Sequence, residues 1–433
     1  MTFPVFPEIH FPDLESLILP DFVRLRLRQP RLPALKNLPV QVAKHLEKSE
    51  LFNLPEGSSV AVAVGSRGIA DIETVVRASV DWLKTKGFVP FIVPGVGSHG
   101  GGTAEGQKAV LEKLGISSDR MGCEIRATMQ TVKYGTLNGG IICHFDANAA
   151  AADGVLVINR VKAHTSFPRD IESGLTKMLA VGLGKAEGAR QVHMIGPRGF
   201  VETLPALADM ILKKAPITAG LAVVENAHKQ LSHVEVVAPS HFSEADARLL
   251  KTAKSGMARL PFDQLDGLLI ERLGKEISGA GIDPAVSGRT DIRGVENPPT
   301  PFIHKIAVLA MTERTDGNGI GVGMADFIPC GMANKLDLKA MYMNALTSTI
   351  LEKARIPIVL PDERSVIAAM VATCWNPKSP RLCHIISSAQ LDEIAVTPNL
   401  LPEIREQGLI LEVSDPFSLT FDKLGNLSIR LEG

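Results

Sequence analysis

Three short runs of this chain are apolar at almost every position: SSVAVAVGS at 58–66, FVPFIVPG at 88–95 and GVLVIN at 154–159. A strand with one wet face alternates apolar and polar residues. An unbroken, β-branched run is dry on both faces, the condition of a parallel sheet covered by helices on each side. The segments between the runs fit that arrangement. Residues 71–86 carry helical periodicity, with Ile72, Val75, Val76, Val80 and Leu83 on one face, and 104–114 predicts the next helix. Helices over 201–214 and 243–258 and strands over 217–226 and 265–274 continue the rhythm.

Beyond residue 274 the texture changes. GKEISGAGIDPAVSGRTDIRGVENPPTP is turn-rich and polar, which predicts a long linking or functional loop. A second α/β unit follows, built from IHKIAVLAM (303–311), a glycine-rich stretch at 316–327, a helix near 338–355 and IPIVL (356–360). The expected fold class is therefore α/β, as two α/β domains, the N-terminal one with a mostly parallel sheet. Residues 1–262 form the first domain and 263–404 the second, with the active site in the cleft between them. The tail, 405–433, alternates like a hairpin around Lys423 to Asn426 and is expected to return to the first domain. Residues 1–40 hold Pro4, Pro7, Pro12, Pro20, Pro30, Pro33 and Pro39 and read as an extended arm that wraps the fold or pairs at an edge, followed by a short helix over 41–54.

Composition removes several function classes. At 433 residues and a net charge of −1, the chain has ample length for two cores and no electrostatic footprint for nucleic acid or an anionic membrane. Its five cysteines are scattered and lack CxxC spacing, which fits a reducing cytoplasm and offers no zinc-ribbon or iron–sulfur pattern. No basic, apolar leader opens the chain, and no segment reaches the roughly 20 apolar residues a membrane span requires. Two Trp and two Tyr provide little for aromatic stacking. The expected partner is a small molecule in the cytoplasm; the sequence sets no oligomeric state.

In a parallel sheet, ligands bind outside the carboxyl ends of the strands. Three such ends carry chemistry here: Val64-Gly65-Ser66-Arg67, Gly95 to Thr103 with His99 inside it, and Asn159 to His164. The second contains GVGSHG, formally a dinucleotide fingerprint, but the acidic residue expected about 20 positions later has no candidate, and Glu124 comes late. A modest reading is that the amides ahead of the helix at Ala104 hold one phosphate, with Ser66, Gly97, Ser98 and Gly100 as cofactor-binding positions. A lone histidine is most often a surface or satisfied core residue, which suits His10, His45, His228, His233, His241, His304 and His384. His99, flanked by glycines, has little packing to explain it. Lys162, Lys177 and Lys185 each read as ordinary solvated lysines, and residues 160–193 as a loop plus one amphipathic helix. Lys177 stands out because its neighbours are small or apolar.

The order Arg67, His99, His164, Lys177, His193 resembles the nickel-pincer lactate racemase family. GLTK, then Gly182, Glu187 and His193, matches that family's glycine-flanked lysine, following glycine, glutamate and histidine. The resemblance runs over most of the chain, with the segment between His164 and Lys177 about three residues longer. It implies a nickel-pincer nucleotide, a pyridinium mononucleotide with two sulfur-bearing arms, tethered through a thioamide to Lys177 and carrying nickel ligated by His193. It implies His99 and His164 as an acid/base pair flanking a 2-hydroxy acid, with Arg67 on the anionic substrate, in a racemase or epimerase that works by hydride transfer. Two imidazoles titrating near neutrality suit that task, since either enantiomer needs one as base and the other as acid.

The departures from the family also carry information. An acidic residue three positions before the arginine is replaced by Val64. In the second domain, SGAGIDPAVSGRTD keeps Asp283 but sets Ser287, Gly288 and Asp291 where the family has the Tyr, Gln and Lys that grip the carboxylate. Arg289 or Arg293 is the expected replacement clamp, and a 2-hydroxy acid other than lactate the expected substrate. Two other classes use the same residues: a zinc-dependent hydrolase or lyase built on His99, His164 and His193, and a non-catalytic nucleotide- or cofactor-binding protein.

Overall fold

The three apolar runs are neighbouring strands. In the computed structural model, which describes residues 6–7, 9–65, 68–164, 169–290 and 292–431, a five-stranded sheet has the order Val89–Pro94, Ser59–Val64, Gly154–Arg160, Ile217–Glu225, Leu231–Val237. The first four strands are parallel and the last is antiparallel. Both faces are covered. Val60, Val62, Ile92, Leu156 and Leu221 pack with Val75, Val76, Val80 and Leu83 of the helix Ile72–Thr85. Ala61, Val93, Val155, Val157 and Val224 pack on the other side with Leu204 and Ile211 from the helix Gly196–Lys214 and with Phe242 and Leu249 from the helix Phe242–Ser255. Two dry faces are why these strands read as unbroken apolar runs.

This sheet belongs to one compact unit, formed by the described residues from Arg31 to Met257. The expected short helix at 41–54 is instead Leu38–Leu46, followed by a 3-10 turn at Glu50–Asn53. Pro39 explains the earlier start, because the first helical turn needs no amide donor from it. An antiparallel hairpin, Thr131–Thr136 with Ile142–Asp146, also lies in this unit. The sequence reading passed over it.

The second unit comprises the described residues up to Pro30 and those from Ala258 onward. Its eight-stranded sheet has the order Ile358–Leu360, Phe327–Pro329, Phe302–Met311, Gln264–Leu273, Leu382–Ser387, Gln390–Val396, Val23–Leu27, Ile410–Val413. The first five strands are parallel and the rest are antiparallel. Two expectations are corrected here. The N-terminal arm does not lie along an edge, because Val23–Leu27 is paired on both sides. The tail does not return to the first domain, because Ile410–Val413 pairs with that same N-terminal strand. The turn expected near Lys423–Asn426 is present, with the Asp422 carboxylate accepting from the amides of Leu424 and Asn426. No helix among the described residues is long and apolar enough to cross a membrane.

Leu25 is fully buried in the twice-paired N-terminal strand. Leu25→Ala is expected to lower unfolding free energy by about 3 kcal/mol through lost transfer energy and a residual cavity. Urea unfolding followed by far-UV circular dichroism measures this. A loss under 1 kcal/mol would mean that the N-terminal strand is peripheral.

Candidate functional site

The strand order of the first sheet places a topological switch point between Ser59–Val64 and Gly154–Arg160. From Ser59–Val64 the chain steps to one flank, at Val89–Pro94, and then crosses to the other, at Gly154–Arg160. The loops leaving these strands diverge there, at the usual ligand position in such sheets. Gly65, the loop from Gly95 to Thr103, and the segment from Val161 to His164 all leave carboxyl ends on this edge.

Each segment is held by specific contacts. Asn159, near the end of its strand, donates from Nδ2 to the Gly174 carbonyl (2.7 Å). A Cβ on Gly65 would stand 2.8 Å from the Asn159 Oδ1, so glycine there gives the amide room. The stretch after Arg160 is stapled by Ser173, whose Oγ accepts from the Lys162 amide and donates to the Lys162 carbonyl (2.8 Å each). Glu172, almost fully buried, accepts from the amides of His164 (2.6 Å) and Arg169 (2.8 Å) and pairs with Lys254. Arg160 pairs with Glu225 on the neighbouring strand. His164 is half-buried at the end of this braced segment.

Lys177 closes a single helical turn, Leu175–Lys177, that runs directly into a π turn, Met178–Gly182. The turn's wider hydrogen bond runs from the Leu183 amide to the Met178 carbonyl (2.8 Å). Such turns are rare and concentrate at functional sites. Lys177 is half-buried while Thr176, Met178 and Leu179 beside it are buried. The start of this turn is set by Asp246, a residue the sequence reading missed. Its fully buried carboxylate accepts from the Leu175 amide at 2.9 Å and the Thr176 amide at 2.8 Å. Gly174 is at φ +122°, and a Cβ on it would run into that carboxylate. Burial pushes the Asp246 carboxyl up to about 6, against the pull of the two amides. Its signal in the sequence is faint: one acid inside an otherwise amphipathic helix, about 70 residues downstream.

His99 is half-buried in its loop, and its amide donates to the Val96 carbonyl (3.1 Å). Ser98 beside it is exposed. Two of the expected cofactor positions have other duties. The Gly97 amide donates to the Gly182 carbonyl (3.0 Å), so it is not offered to a phosphate. Gly100 lies against the backbone of Gly106 and lets the loop close on the helix Ala104–Lys113. Ser66 and Arg67 lie outside the described residues. His193 falls in the helix Lys185–Met194, and its side chain is not among those described. Among the described residues, no three His, Cys, Asp or Glu side chains gather as a metal site. Lys185, read from sequence as a solvated lysine, is fully buried and paired with Asp146.

In the second unit the two arginines differ. Arg289 donates to the carbonyls of Met324, Ile303 and His304 and pairs with Asp326 (2.9 Å). It ties its own unit together rather than forming an open anion clamp. Arg293 has an 83% exposed side chain, 3.6 Å from Glu352. Asp283 caps the short helix Pro284–Ser287 through the Ala285 amide (2.9 Å), and Asp291 lies outside the described residues.

No family model matches the sequence, and no curated protein matches it. Among solved structures, the chain is similar to a protein from Thermotoga maritima, with a TM-score of 0.48, 12% identity, and coverage of 83% of this chain and 90% of that one. It is also similar to the lactate racemase apoprotein from Thermoanaerobacterium thermosaccharolyticum, with a TM-score of 0.45, 14% identity, and coverage of 84% and 82%. At this level the likeness carries no functional argument.

The Asp246 carboxyl, raised from the ordinary 3.8 to about 6, gives a pH test. An acid whose folded value is raised binds its proton more tightly in the folded state, so its charged form costs stability at neutral pH. That cost is relieved as pH falls from about 6 toward 4. Relative to Asp246→Asn, the wild type is expected to gain about 1 kcal/mol of unfolding free energy between pH 7 and pH 5. Urea titrations of both proteins at the two pH values check this, and a pH-independent difference would rule out a desolvated carboxylate at this position.

Proposed function

We propose that this chain is a nickel-pincer-dependent racemase or epimerase of a 2-hydroxy acid, with Lys177 as cofactor anchor, His193 as metal ligand, and His99 and His164 as acid and base. The observation that carries the reading is the coincidence of two patterns. The family-like order of His99, His164 and Lys177 falls on loops and a turn that follow the carboxyl ends of parallel strands beside the switch point. Ordinary surface groups would distribute over both edges of the sheet, and the sharing of the carboxyl edge by all three supports the reading.

The donor set suits the cofactor in kind. A half-buried primary amine among buried neighbours is the kind of group a thioamide tether uses, and neutral imidazole is a good nickel ligand. When bound, such a group supplies the hydride acceptor. This chain supplies geometry and proton transfer. One of His99 and His164 takes the proton from the substrate hydroxyl, while the other stands on the opposite face for the other enantiomer. Arg67 and Arg293 are assigned to the substrate carboxylate, as planar guanidinium groups that bind it through two hydrogen bonds. Ser66 and Ser98 are assigned to the cofactor's phosphate. The loops of the second unit are assigned to the choice of substrate, and the cytoplasm is assigned as the compartment.

Production in a host that makes the cofactor, followed by intact-mass and nickel analysis, tests the reading. The expected result is a mass adduct on Lys177, one nickel, and loss of optical rotation with at least one 2-hydroxy acid. His193→Ala is expected to lose nickel, whereas His99→Ala keeps it and loses turnover by about 100-fold or more. An unmodified Lys177 without nickel, or zinc bound in a host lacking the cofactor pathway, would overturn the assignment.

A further inference from the structure

Two structural rules are broken at Lys185. It opens the helix Lys185–Met194 at φ +56°, a conformation side chains other than glycine rarely adopt. Its ammonium is at 0% exposure, where an unpaired charge is very unfavourable. Glycine would suit the turn better, and methionine the burial. Departures of this kind persist where the surrounding structure uses them.

The ammonium has three partners from three elements. Nζ donates to the Pro94 carbonyl (2.6 Å), at the end of a strand, and to Gln107 Oε1 (3.0 Å), on the helix after the His99 loop. It lies 2.7 Å from Asp146, at the end of the hairpin. Gln107, also fully buried, extends the contact by donating from Nε2 to the Gly97 carbonyl (2.7 Å). On its other side, the Gly97 amide reaches Gly182 in the π turn after Lys177. Gly97 is thus gripped through both its amide and its carbonyl, two residues before His99. Its Cα also sits close to the helix that Lys185 begins, since a Cβ there would meet Ala189 at 3.8 Å.

We propose that Lys185 is a positioning residue that clamps the loop Gly95 to Thr103, and with it His99, against the segment carrying Lys177. The proposal rests on the roles given to His99 and Lys177 above. Lys185 itself touches no reacting atom. Its charge matters because one ammonium can bind a carbonyl, an amide and a carboxylate from three directions at once.

Two variants test the clamp in the full chain. Lys185→Met with Asp146→Asn removes both charges, and the asparagine oxygen still accepts from the Ala149 amide, as Asp146 does at 2.8 Å. Gln107→Met removes the arm to Gly97 together with one of the ammonium's three partners, and leaves the ion pair with Asp146 intact. The variants are expected to fold, with amide exchange across residues 95–103 about tenfold faster or more. In the cofactor-loaded enzyme, kcat is expected to fall about tenfold or more at little-changed KM. If exchange and kcat stay at wild-type values, Lys185 is only a staple and the proposal is overturned. Should the double variant fail to fold, Gln107→Met decides alone. If the wild type racemises nothing, the functional reading fails, while the exchange measurement still decides whether the loop is clamped.

Discussion

The governing constraint is that the first sheet is dry on both faces. Ala61, Val62, Val155 and Leu156 are fully buried, and the strands Ser59–Val64, Val89–Pro94 and Gly154–Arg160 have no polar side chain in their body, because each face is covered by helices. Polar chemistry is therefore pushed to the ends of the strands, and the parallel arrangement puts the carboxyl ends on one edge. Asn159 and Arg160 show the changeover within one strand. Residues 154–158 are buried, and the next two are half-buried and hydrogen-bonded to neighbouring segments.

This edge is then shaped by close backbone packing as much as by side chains. Gly95 abuts Met178, and a Cβ on Gly182 would stand 2.7 Å from the Gly95 carbonyl. Any side chain at Gly182 would force the His99 loop away from the turn that bears Lys177. The charged groups sharing that space are paired in place: Lys185 by two oxygens and Asp146, Asp246 by two amides, while the buried Thr176 hydroxyl is left without a partner among the described residues. A partly satisfied network would be worse than an apolar core, because each unpaired polar atom keeps its full desolvation penalty.

Much of this was legible in the sequence. The apolar runs and the strand expected over 217–226 correspond to the four parallel strands of the first sheet but not to the antiparallel fifth, Leu231–Val237, and the helix over 71–86 is found as Ile72–Thr85. What failed has identifiable causes. In the hairpin, Thr131–Thr136 carries mixed residues because it is only partly covered, and Ile142–Asp146, though buried at four of five positions, includes His144 and Asp146, so neither period stands out. Val23–Leu27 alternates arginine with apolar residues, which disguises a twice-paired strand inside a proline-rich arm. Asp246 and Lys185 were invisible for a different reason. Each works on atoms distant along the chain, Asp246 on two backbone amides and Lys185 on one carbonyl and two side chains, and neither a backbone partner nor one some 40 to 80 residues away shows in the local pattern. Arg289 shows the converse, since a plausible anion clamp on residue type is committed to carbonyls of its own unit.

Asp246 and Lys185 share a logic that bears on how such a site is held. Both are charges placed where burial disfavours them, and burial shifts each toward its neutral form: the acid up to about 6 and the lysine below its ordinary value. Each stands at the start of a helical segment, Asp246 beneath the turn of Lys177 and Lys185 at the head of the helix that contains His193. A stability-optimised fold would use an uncharged cap at the first and glycine at the second. Charged groups give shorter and stronger hydrogen bonds and so tolerate less displacement of their partners. The two departures from the stable choice thus fall on the segments whose placement matters most if Lys177 and His99 work together.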